Sequence, residues 1–77
     1  MNTDKLVTMA NQIATYFASE PDRAAAVAGT AGHLKKFWDP RMRRELLHRF
    51  DERGGEGMHE LVVAALREQR AELEPSV

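Results

Sequence analysis

Asp39-Pro40 constrains this chain more than any other pair of residues, because it forces a corner into sequence that is otherwise patterned for helix. Proline fixes its own φ and pushes the residue before it out of the helical region. Aspartate as N-cap with proline at the first helical position is also a good opening for the next helix. The corner therefore closes one helix and starts another. Directly before it stand Phe37 and Trp38, and Lys35, Lys36, Arg41, Arg43 and Arg44 flank it on both sides. At 77 residues the chain is expected to form a single domain over 1–77, with a thin core. Burying both rings in such a core is difficult, and aromatics beside arginines are the residue types that anchor interfaces. The first reading is an interaction module.

Apolar spacing on either side of the corner predicts four short helices. Leu6, Met9, Ala10, Ile13 and Phe17 make one broad face, with Tyr16 on its flank. Thr3 with Asp4 behind it is the expected start of that helix, and Pro21 forces a stop or restart. Ala24, Val27, Ala31, Leu34 and Trp38 form the second stripe. Gly29 and Gly32 interrupt its composition at about 1 kcal/mol each relative to alanine. Either another backbone approaches there, or the helix is weak at that point. Met42, Leu46, Leu47 and Phe50 define the third helix, which ends near Arg53 before Gly54-Gly55-Glu56-Gly57. Met58, Leu61, Val62, Ala65, Leu66 and Leu73 define the fourth. The tail turns polar from Glu72, and residues 74–77 are expected to fray. No segment alternates with period two for long enough to make a strand. The fold class is all-α, a small bundle of four short helices with short loops.

Composition excludes several function classes. Eleven Lys/Arg against twelve Asp/Glu leave a net charge of −1, so the chain as a whole is no polyanion binder. It contains no cysteine, which removes disulfides, thiolate zinc sites and the usual iron–sulfur ligation, and favours a reducing compartment. Asp4, Lys5 and the lack of a long apolar run argue against a signal peptide, and no stretch is apolar enough to span a membrane. A cytoplasmic location is expected.

The individual candidates are then weighed against ordinary surface roles. Seven basic residues lie between Lys35 and Arg53, interleaved with Asp39, Glu45, Asp51 and Glu52. That patch is the basis of an alternative function, a small helical nucleic-acid-binding regulator. Its bland counterpart is a solvated face with intrahelical pairs such as Glu45–Arg49. Arg43 stands apart, since on a helical wheel it falls between Phe50 and Leu47, inside the apolar sector. A charge there must snorkel, pair internally or meet another chain. His33, His48 and His59 share no ligand spacing, and the first two read as residues of polar faces. Ser19 and Ser76 lie in no nucleophile motif, and the glycine loop lacks the Lys-Ser/Thr of a phosphate loop. Glu56 and Glu60 are a commonplace acidic pair. No catalytic, cofactor-binding or metal site is expected, and the chain is read as non-enzymatic.

The residues also carry a family likeness over nearly the whole length. Leu6-Val7-Thr8-Met9-Ala10-Asn11-Gln12-Ile13 is followed by Phe17 and then Pro21-Asp22-Arg23-Ala24. Gly32-His33-Leu34, a basic pair and Phe37-Trp38-Asp39-Pro40-Arg41-Met42-Arg43 come next, then the glycine loop and the segment Leu61 to Leu66. In this order they resemble the delta subunit of the cytoplasmic, NAD-dependent, molybdenum-containing formate dehydrogenases. One departure is Met58-His59, where the family's pattern leads one to expect Ser-Pro. The resemblance implies a non-catalytic accessory subunit that stabilises, or helps assemble, a multisubunit enzyme of formate oxidation. It implies an alpha subunit with the molybdenum cofactor and iron–sulfur clusters, a flavin-containing beta subunit with the NAD site, and an iron–sulfur gamma subunit. The alpha subunit is the expected partner. The partner-binding residues read from the elbow are Phe37, Trp38, Arg41, Arg43 and Arg44, with Val63 as an extension. Trp38 lies on the helical stripe and is the better core residue; Phe37, about 100° away, is the better contact residue.

Overall fold

A computed structural model describes residues 2–75, and among them the chain is all-α. Four helices of the expected order, α1 (Thr3–Phe17), α2 (Arg23–Phe37), α3 (Pro40–Arg53) and α4 (Glu60–Glu68), are followed by a one-turn α5 (Arg70–Leu73). The caps follow local chemistry. Asn2, rather than Thr3, caps α1, its Oδ1 accepting the Asp4 N–H at 2.9 Å. Asp22 caps α2 by accepting from Ala24 N–H, and Pro21 lies before it. Asp39 caps α3 through the Met42 N–H at 2.9 Å with Pro40 at the first turn, as the corner requires. The last α3 residue gives way to Gly54 at φ 64°, a left-handed conformation in which a side chain would be strained.

α4 begins at Glu60, and the departure from the expected Ser-Pro opening has a physical answer. His59 supplies the cap itself, its Nδ1 accepting the Leu61 N–H at 3.0 Å. Met58 stays outside the helix and half-buried. Asn11, on α1, reaches across to fix this turn. Its Nδ2 donates to the Gly57 carbonyl at 2.9 Å, and its Oδ1 accepts the His59 N–H at 2.8 Å. Val63 closes the loop from the other side, since a Cβ on Gly55 would stand 2.8 Å from Val63 Cγ2. Val63 thus seats the glycine loop.

The core is formed where α2 packs on α4 and α1 crosses both. Leu6, Val27, Leu34, Leu46, Val62 and Leu66 are buried there, and each contributes roughly 1.5–3 kcal/mol by area. Ala10, Ala14, Ala26, Ala31 and Ala65 let the backbones come close. Trp38 is 6% exposed and belongs to this core. The second stripe differs from expectation in detail: Ala24 is exposed, while Ala26 and Thr30 are buried. Thr30 meets its hydrogen-bonding need within the helix, donating to the Ala26 carbonyl at 2.9 Å. On α1 the core face is turned away from the predicted stripe. Val7 and Ala14 are buried, whereas Met9, Ile13 and Phe17 are only half-buried. Leu73 is 1% exposed, so the chain is anchored through α5. Ser76 and Val77, the end of the segment expected to fray, lie outside the described residues.

Candidate functional site: an aromatic face on the first two helices

The rotation of α1 leaves apolar surface that the core does not cover. Met9, Ile13, Tyr16 and Phe17 line one wall of an open groove of about 600 Å³, and His33 and Trp38 line the other. Gln12 adds a polar side chain at its edge. Tyr16 is 74% exposed and Phe37 64% exposed, the two most open large hydrophobic side chains among the described residues. The rings touch in sequence. Tyr16 meets Phe17 edge-on with centroids 5.0 Å apart, Phe17 meets His33 at 6.3 Å, and His33 meets Phe37 at 4.6 Å. Aromatic contacts of this kind hold rings in place beyond simple area burial.

Gly29 makes the row possible. A Cβ at this position would stand 2.6 Å from two atoms of the Phe17 ring, so the missing side chain is the slot into which that ring lies. The close approach expected at the mid-helix glycines is therefore real at Gly29, but it is made by a ring and not by a backbone. Gly32 has nothing within 4 Å of its missing Cβ and needs no such explanation. α2 runs unbroken through both. His33, expected on a polar face, instead stands between two phenyl rings.

The structure separates the residues grouped at the elbow. Phe37 joins the aromatic row, and Lys36 Nζ lies 5.7 Å from its ring centroid. Trp38 lines the groove from within the core and is buried. Arg43 faces inward, where its Nη1 donates to the Leu73 carbonyl at 3.3 Å and caps α5. Internal pairing is thus its role in the isolated chain, and its buried Nε has no protein partner. Arg41 is exposed. Arg44 is exposed on a different side, beside Leu47, His48 and Asp51.

The basic stretch is further divided by internal pairs. Lys35 binds Glu72 at 2.6 Å, and the lysine holds that carboxyl below the usual carboxylate range. Arg49, expected to pair with Glu45, is 8% exposed and binds Asp4 at 2.7 Å, with Thr3 Oγ1 at 3.2 Å. It ties the start of α1 to α3. With Arg43 these remove three of the seven bases from any phosphate-binding track. Arg70 grips Asp51 through two hydrogen bonds of 2.8 and 2.7 Å and also binds Glu74. Those bonds lower the Asp51 carboxyl and raise the Arg70 guanidinium above their ordinary ranges. Glu60, one of the acidic pair on the glycine side, is matched by Arg23. His48 remains an exposed neighbour of Glu52 at 3.4 Å. Among the described residues no group of three His, Asp or Glu side chains is placed to hold a metal ion, and no helix is long and apolar enough to cross a membrane.

Sequence reasoning missed Asn11, Arg49 and the α1 wall of the groove. Asn11 sits one turn after Val7 and Arg49 sits beside Met42 on the wheel, so each was a polar residue at the margin of an apolar face.

What the fold defines is a small helical module that shows an aromatic face and uses Arg23, Lys35, Arg49 and Arg70 as ties within its own framework. A sequence model of the family described as NADH-dependant formate dehydrogenase delta subunit FdsD matches residues 5–66, and the chain belongs to that family. The match spans the groove, the elbow and the Asn11-bound loop. No curated protein and no solved structure matches the chain.

Proposed function

We propose that this chain is a non-catalytic accessory subunit of an NAD-dependent formate dehydrogenase complex, stabilising or assisting the assembly of its quaternary structure. Family membership supports the complex. The observation that carries the accessory role is the exposed ring row on a chain too small to waste it: Tyr16 and Phe37 stay open although each would contribute roughly 1.5–3 kcal/mol if covered. Phe37 is the central docking residue, with Arg41 as an orienting cation at the start of α3, while Arg44 faces a different side and takes no part in this face. Trp38 and Arg43 support the elbow from within. The molybdenum-containing alpha subunit is the proposed partner, with the flavin-containing beta and iron–sulfur gamma subunits in the same complex, where the redox chemistry takes place.

The test is production of the complex with and without this chain. Its loss is expected to lower the yield of intact complex on size-exclusion chromatography, while the residual intact particles oxidise formate at an unchanged specific rate. Fully assembled, cofactor-loaded complex that is inactive without the chain would instead mean a catalytic or conformational role.

A further inference from the structure

We infer that His59 makes the junction between the glycine loop and α4 a latch that holds at neutral pH and releases in mild acid, a device independent of the accessory role. One residue carries three bonds at this junction. The His59 carbonyl accepts the Val63 N–H at 3.1 Å and starts the α4 ladder. The His59 N–H donates to Asn11 Oδ1 at 2.8 Å and ties the turn to α1. The imidazole Nδ1 accepts the Leu61 N–H at 3.0 Å and caps the helix. That last bond fixes the state of the ring. The Leu61 N–H can only donate, so Nδ1 carries no proton and the neutral imidazole holds its hydrogen on Nε2. The commoner caps, Ser, Thr, Asn and Asp, offer an oxygen that remains an acceptor in mild acid.

Imidazole changes charge between about pH 5 and pH 8. A proton on Nδ1 turns the acceptor into a donor facing the Leu61 N–H. It also sets a cation at the N-terminus of a helix, where positive charge is unfavourable. The cap is therefore present above that range and lost as pH falls through it. The released ring has somewhere to turn. It lines a crevice whose charged groups are Glu20, from the turn between α1 and α2, Arg23 on α2, and its own neighbour Glu60. Arg23 binds Glu60, and Glu20 accepts the Asp22 N–H at 3.2 Å. α1 presents the uncharged Asn11. An imidazolium turned toward Glu20 leaves the first turn of α4 without its side-chain cap and loosens the loop that Asn11 holds.

NMR of the 77-residue chain tests this, with the pH lowered from about 8 to about 5. At the alkaline end the His59 ring is expected to show an unprotonated Nδ1 hydrogen-bonded to the Leu61 amide. As His59 gains its proton, the protection factors of Leu61 and Val63, corrected for intrinsic exchange, should fall about fivefold, as loss of a cap gives. His59→Asn keeps an acceptor at the same place and does not titrate, so its protection should stay level. A proton on Nδ1 at the alkaline end overturns the inference, and that reading needs no variant. Equal responses of the unaltered chain and His59→Asn also overturn it, whether both lose protection, which would assign the effect to groups such as His33 or His48, or neither does.

Discussion

The α1–α2 face and the α3–α5 face both carry residue types that anchor interfaces, yet they use them in opposite ways. On the α3–α5 side, Arg70 holds Asp51 and Glu74, Arg43 caps the Leu73 carbonyl, and Lys35 reaches from α2 to Glu72. Those charges find partners inside the chain. On the α1–α2 side, Tyr16 and Phe37 are held in place by other rings but are not covered. A basic stretch is therefore a poor guide to a docking surface in a domain this small, because a thin core recruits long cationic side chains as ties. Rings that are ordered and still exposed are the better guide.

Neighbouring residues at the elbow offer the sharpest way to break that contrast. Trp38→Ala is expected to cost about 3–5 kcal/mol in urea unfolding, as removal of a buried aromatic does. Phe37→Ala should stay within about 0.5 kcal/mol of the unaltered chain, while the complex retains it poorly. Equal losses of stability would place both rings in the core and remove the aromatic face.

Asn11→Ala comes next. It deletes two hydrogen bonds to the glycine loop and leaves the His59 N–H and Gly57 carbonyl without that partner, which should cost about 1–3 kcal/mol. Hydrogen exchange should quicken locally across residues 54–60. An unchanged loop would mean that Val63 packing alone holds it.

The two mid-helix glycines give a smaller, paired effect. Gly32→Ala adds a side chain to open space and should raise stability by up to about 1 kcal/mol through helix propensity. Gly29→Ala has the same propensity gain but must displace the Phe17 ring, so thermal denaturation should show no increase. A gain at both positions would mean that the ring is not seated in the Gly29 slot.

The smallest expected effect is on acid stability. Asp51 and Glu72 have folded pKa values depressed by Arg70 and Lys35 respectively. Their contribution is present above the ordinary carboxylate range and is lost as pH falls through the depressed values. Both are exposed, so the slope should be shallow. Asp51→Asn should flatten it further in an acid titration followed by circular dichroism; a steeper slope would contradict the pairing with Arg70.

How much of this was legible in the sequence differs by element. The Asp39-Pro40 corner and the helices on either side follow from local rules, and so does the separation of buried Trp38 from exposed Phe37, since one lies on the apolar stripe and the other off it. The orientation of α1 was not legible. Leu6, Val7, Met9, Ala10, Ile13, Ala14 and Phe17 together cover more of the helix than a small core can use. Which part goes inward is decided by where α3 and α4 lie. The groove is the remainder of that choice. Arg49 shows the same limit, because Glu45 is its neighbour by spacing but Asp4 arrives only when α1 folds onto α3.

Hydrogen–deuterium exchange on this chain, free and within the purified formate dehydrogenase complex, tests the docking face most directly. The account predicts added protection in residues 9–17 and 33–38 on assembly, with little change across 44–53. Protection confined to α3 and α5, with the aromatic row as open in the complex as in the free chain, would contradict it.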